Sequence, residues 1–151
     1  NLKLERFLSS SDKSNNFMSN KFFRTITKKK KRISKVLEVK GREVVIDNYY
    51  EGIVKLSFDE LCNRNLGPED YIKIAENCSF IFIENLINFN ESNLNQQKRF
   101  ITFIDIVYEK RIPLMITSKI DLNSLKSSNS LKDSFKRTIS RLYELTSTKL
   151  N

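Results

Sequence analysis

Histidine is absent from the 151 residues, and so is tryptophan. Without imidazole, general-base catalysis by histidine and histidine-ligated zinc are excluded. Glycine occurs three times and proline twice. That excludes collagen, flexible Gly-rich linkers and a sandwich with Gly/Pro corners. It also argues against a self-contained nucleotide-binding fold, which needs glycines where phosphate meets backbone. The two cysteines, Cys62 and Cys78, have no CxxC spacing. They make neither a disulfide framework nor a four-ligand metal site, and read as small buried hydrophobes in a reducing compartment. No metal site is expected. No stretch approaches the roughly 20 apolar residues of a membrane span, and no signal peptide is evident. The sequence starts with Asn, so it is expected to begin inside a longer product or to come from an incomplete reading frame.

What is present is globular. Hydrophobic residues make up 39% and charged residues 30%, enough for one domain or one piece of a larger one. The net charge of +9 is concentrated at the front. Residues 1–42 carry 13 Lys/Arg against 3 Asp/Glu, and the remainder is close to neutral. The densest run is Lys28-Lys29-Lys30-Lys31-Arg32. It reads either as a phosphate-binding arm, for nucleic acid or an anionic membrane, or as a solvated loop before a strand. No aromatic residue interrupts the run, as stacking on single strands would want.

The chain divides into a basic, partly irregular or helical segment over 1–35 and an α/β region over 36–151. In the first, a short helix is expected at Leu2–Leu8 and another at Asn20–Thr27. Val36–Ile46 reads as a hairpin about Lys40-Gly41. A strand over 52–58 joins it in a small antiparallel unit. Ser57 with Glu60 predicts a capping box, and Pro68 with Glu69 and Asp70 predicts a further helix start. Ser79–Ile83 and Ile112–Thr117 are continuous apolar runs, the pattern of strands buried on both faces. The 96–110 segment between them is helical in period, giving a βαβ unit. Leu131–Thr138 is expected to be helical and Ile139–Leu145 a third strand beside the other two. The fold expected is a three-layer α/β fragment containing a βαβ unit, with a small antiparallel hairpin near the N-terminus.

No GxxxxGK[ST] or GxGxxG occurs, and only Glu84 follows a buried strand in the manner of a Walker-B acid. Taken by themselves the residues give an α/β fragment without a complete catalytic centre.

Three blocks nevertheless resemble one family. Leu56-Ser57-Phe58-Asp59-Glu60-Leu61-Cys62 leads to Leu66-Gly67 and Asp70-Tyr71. Arg99-Phe100-Ile101-Thr102-Phe103-Ile104-Asp105 follows, with Tyr108. Last come Phe135, Arg137-Thr138, Ser140-Arg141-Leu142 and Glu144. In order and spacing these are similar to the C-terminal half of the AFG-one-like (ZapE) P-loop ATPases, with Gly41-Arg42 fitting the strand before the first block. The sequence departs from the family pattern at Asn85, Ile87, Lys98 and Leu145.

The resemblance implies an AAA-type core whose Walker motifs lie in an N-terminal half absent from this chain. It implies ATP and Mg²⁺ for the complete family protein, with neither expected to bind this chain alone. The implied partners are that ATPase half, protein clients and an oligomer; the implied role is protein handling, in cell division or membrane-protein quality control. The implied place is the cytoplasm, with association at the inner face of a membrane.

It also names residues. Arg99 and Arg141 are candidates for a catalytic sensor or finger arginine, since guanidinium forks suit phosphate oxygens. Each has an alternative as an ion-pairing side chain, Arg141 with Glu144 or Glu109. Thr117 and Arg137 are candidates for nucleotide contact, with Thr117-Ser118 alternatively capping the next helical turn. Arg137 and Arg141 share a face, with no obvious acid between them. A second expectation, of another class, is a binding module that uses residues 21–42 on nucleic acid or an anionic membrane.

Overall fold

The computed structural model describes residues 5–150. Six strands form one mixed sheet: β1 (Phe7–Ser9), β2 (Ile33–Val39), β3 (Arg42–Tyr50), β4 (Ile53–Ser57), β5 (Phe80–Leu86) and β6 (Leu114–Ser118). Their order is β1-β6-β5-β4-β3-β2. The first four in that order run parallel, and β3 and β2 add on antiparallel. The expected antiparallel unit is therefore not separate: β4 pairs with β3 on one side and with β5 on the other.

Two tight turns fix the hairpin register. Lys40 and Gly41 both have positive φ, and so do Glu51 and Gly52. Two successive residues of that hand suit the right-handed twist of the flanking strands. Glycine is needed most at 52, where a Cβ would lie 3.1 Å from the Ser79 hydroxyl.

Strand alternation divides the core into two layers. On one face Val54, Leu56, Ile81, Ile83, Leu114 and Ile116 pack under α2 (Phe58–Cys62), α3 (Pro68–Glu76), α4 (Leu94–Glu109) and α5 (Lys132–Leu145). On the other, Leu8, Ile53, Phe80, Phe82 and Met115 pack under Phe22, Phe23 and Ile26 of α1 (Lys13–Thr27). Period-two side chains along strands buried on both faces produce this three-layer arrangement. The βαβ unit is β5–α4–β6, as the apolar runs predict.

Three elements differ from expectation. Residues 139–145 are not a strand but the second half of α5, because Phe135, Thr138, Leu142 and Leu145 fall at helical spacing and are all buried. Phe7–Ser9 is a strand, since its backbone pairs with Ile116–Ser118; residues 2–4 of the expected helix lie outside those described. The helix ending at Thr27 starts at Lys13, where the Asp12 carboxylate accepts from the Ser14 N–H at 2.8 Å. Among the described residues no helix is long and apolar enough to cross a membrane.

Candidate functional site

Residues from the separate sequence blocks meet one another at the seams between elements. The Arg42 guanidinium pairs with Asp70 at 2.9 Å, and the other Asp70 oxygen accepts from the Gly67 N–H at 2.8 Å. Asp70 is 1% exposed, so this pair ties the hairpin to the start of α3. The buried Tyr71 hydroxyl donates to the Leu61 carbonyl at 2.7 Å. Arg99, on α4, donates to the Cys62 carbonyl at 3.0 Å and so covers the open end of α2.

The densest cluster joins α4 and α5. Asp105 accepts from Arg141 and from Arg137, the latter at 3.3 Å. An acid does lie between the two arginines, and Arg141 takes Asp105 rather than Glu144 or Glu109. The Tyr108 ring meets two guanidiniums, 4.5 Å from Arg141 and 4.9 Å from Arg111. Glu144 closes the cluster, accepting from Tyr108 at 2.8 Å and from Arg111 at 3.0 Å. The hydrogen bond to Glu144 raises the Arg111 pKa above its ordinary value.

Thr117 is the penultimate residue of β6, which lies between β1 and β5 in the sheet. The ladder between β5 and β6 is irregular between Ile83 and Leu86, and Asn85 within it has φ +63°. The Asn85 N–H, displaced from the ladder, donates instead to the Thr117 hydroxyl at 3.2 Å. Ser118, not Thr117, holds the following turn: its hydroxyl donates to Leu86 and accepts from the Ile120 N–H. Beside these residues runs an open groove of about 550 Å³, lined by Asn85, Leu86, Ile87, Asn88, Lys119 and Ile120. It offers one cation and no glycine-rich backbone, a poor match to a triphosphate.

The four predicted residues thus lie in three places. Arg99 is at the α2/α4 seam, Arg137 and Arg141 share the α4/α5 seam, and Thr117 is at the carboxyl edge of the sheet. Only Arg137 and Arg141 are brought together. Among the described residues, no buried side-chain nitrogen or oxygen lacks a hydrogen-bond partner.

Sequence reasoning missed Arg6. It is 2% exposed and, among the described residues, has no carboxylate partner. Its guanidinium donates to the carbonyls of Leu114 (2.9 Å), Leu145 (2.9 Å) and Thr148 (2.8 Å) and to the Thr148 hydroxyl (2.9 Å). Burial lowers its pKa. One side chain near the start of the chain therefore binds β6 and the end of α5 together. A single arginine in a polar stretch carries no periodic signal that would reveal this.

A mixed three-layer α/β sheet with charged residues interlocked at its helix seams defines the structural class. The chain belongs to the AFG1-like ATPase family, whose sequence pattern matches residues 1–151. It is 33% identical over 91 residues to lactation elevated protein 1 homolog B of Danio rerio, covering 60% of this chain and 18% of that protein. It is 25% identical over 118 residues to cell division protein ZapE of Escherichia coli K12, covering 78% of this chain and 32% of that one. The chain thus spans less than a third of the length of these curated relatives. No solved structure matches it significantly.

Proposed function

We propose that this chain is the C-terminal region of an ATP-hydrolysing AFG1-like protein. ATP and Mg²⁺ are held, on this reading, by a P-loop portion outside these residues, and the energy is spent on handling protein clients. The observation that carries the reading is a conjunction. The whole chain matches an ATPase family, yet its 151 residues contain no GxxxxGK[ST] loop. Its charged motif residues support the same view, because they are satisfied by one another: Arg42 by Asp70, and Arg137 and Arg141 by Asp105.

On this account the region is a scaffold that packs against the P-loop portion. Arg141 and Arg137 set the angle between α4 and α5, acting as positioning residues. Arg99 differs from them, since it spends one hydrogen bond on a carbonyl and, among the described residues, pairs with no acid. Its remaining donors are available to a phosphate, and it is the arginine we assign to that role.

The test is to express the product that includes the upstream coding sequence and to follow ATP hydrolysis. Turnover is expected, and is expected to vanish when the Walker A lysine is replaced by Ala. Arg99→Ala is expected to reduce turnover by about 10² or more while leaving the thermal midpoint nearly unchanged. A longer product that lacks a Walker A motif or does not hydrolyse ATP overturns the reading. If Arg141→Ala lowers turnover without lowering the thermal midpoint, the roles of the two arginines are reversed.

A further inference from the structure

The outward face of α1 is cationic and uncompensated. Lys13, Phe17, Lys21, Arg24 and, just past the helix end, Lys28 fall within an arc of about 80° at 3.6 residues per turn. The opposite face carries Phe22, Phe23 and Ile26 down onto the sheet. The helix has no Asp or Glu, and the stripe runs on into Lys29–Arg32. All eight of these cations are exposed, and among the described residues none takes part in an ion pair. Three acids of the adjoining segments bond to other groups and to none of these cationic side chains. Asp12 caps the helix, Asp47 holds the Ser34 hydroxyl, and Glu51 accepts from the Lys31 backbone N–H.

Phe17 lies within the cationic stripe and Met18 about 60° beyond its edge, and the core uses neither. Phe17 is 63% exposed and its neighbour Met18 is 43% exposed. Eight unpaired cations repel one another and call for an anionic surface. The apolar pair decides which kind. The outer side of a helix lying on a sheet is a ridge, whereas single-strand binding uses a groove with several stacking aromatics. A duplex backbone would satisfy the cations and leave Phe17 and Met18 in water. A lipid surface satisfies both, with ammonium groups at the headgroups and apolar side chains just below them.

We propose that α1 and the Lys28–Arg32 loop form a docking face for an anionic lipid surface, with Phe17 and Met18 entering the headgroup boundary. This does not depend on the ATPase reading, since it uses none of the same residues.

Because the chain has no tryptophan, Phe17→Trp supplies a single fluorescent reporter at an exposed position. The full chain carrying it is mixed with vesicles of phosphatidylcholine alone, or with about one third phosphatidylglycerol. Flotation with the anionic vesicles only, and a blue shift of the tryptophan emission on binding, are expected. Neutralising Lys28, Lys29, Lys30 and Lys31 to Gln is expected to weaken binding by about a hundredfold or more, at roughly fivefold per charge. Raising the salt is expected to weaken it likewise. Circular dichroism verifies that each variant stays folded. Absence of flotation overturns the proposal. So does flotation without a blue shift, which makes the contact a charge layer with no apolar entry. Tighter binding to duplex DNA than to vesicles, with the emission unshifted, assigns the face to nucleic acid instead.

Discussion

Arg141 of α5 is paired with Asp105 of α4, and the guanidinium lies over the Tyr108 ring with only 20% of the side chain exposed. Asp105 also holds Arg137, whose side chain is 54% exposed. The two arginines therefore depend on one carboxylate to an unequal degree.

Removing the acid is expected to cost more than removing either base. Asp105→Ala leaves two guanidiniums facing each other without a counter-charge, and should cost about 2–3 kcal/mol. Arg141→Ala should cost about 1–2 kcal/mol, and the more solvated Arg137→Ala no more than about 1 kcal/mol. Urea unfolding of the three variants checks the order. If Asp105→Ala is neutral, the seam is held by apolar packing alone.

Arg6 is the second lock. Replacing it with Leu removes a donor from three carbonyls, two of them buried (Leu114 and Leu145) and one part-buried (Thr148), though Leu145 keeps the Thr148 hydroxyl. A loss of about 2–4 kcal/mol is expected. Arg6→Lys should recover little, because an ammonium cannot span the same fork of acceptors. Thermal unfolding of both variants decides the matter, and a lysine variant as stable as the parent would refute the fork.

The thiols give a pH prediction. Burial raises the pKa of Cys62, and pushes that of Cys78 up to about 12. In the unfolded chain a thiol ionises near pH 8.5. A raised folded pKa means that the folded state disfavours the thiolate. The stability this contributes is complete below about pH 8.5 and is lost as the pH rises toward the folded value. At pH 8, iodoacetamide should label neither cysteine in the native chain and both in urea, as the thiolate is the nucleophile. Cys78 is only half-buried, and rapid labelling of it in the native chain would contradict its raised pKa.

Much of the sheet was legible because it is written in local pattern. The apolar runs at 79–83 and 112–117 mark doubly buried strands, and Lys40-Gly41 marks its turn. The Ser57/Glu60 capping box forms with both of its hydrogen bonds. What was not legible depends on distant partners. β1 is three residues long and is a strand only because β6 lies beside it. Ile139–Leu145 can be strand or helix by sequence and is expected as a strand, but packing against α4 imposes a helix. A strand there gives no place for Asp105 opposite Arg137 and Arg141, whereas on α5 both arginines face it. α1 was truncated because Ser and Asn fill its first turns, and its start rests on the Asp12 cap and on contacts made further along.

The central claim is that these residues form the scaffold portion of an ATPase and do not by themselves complete a nucleotide site. Isothermal titration of Mg-ATP into the purified 151-residue chain tests it most directly. The account predicts no saturable heat at micromolar nucleotide. A saturable isotherm with micromolar affinity, abolished by Arg99→Ala or by Arg141→Ala, would contradict it.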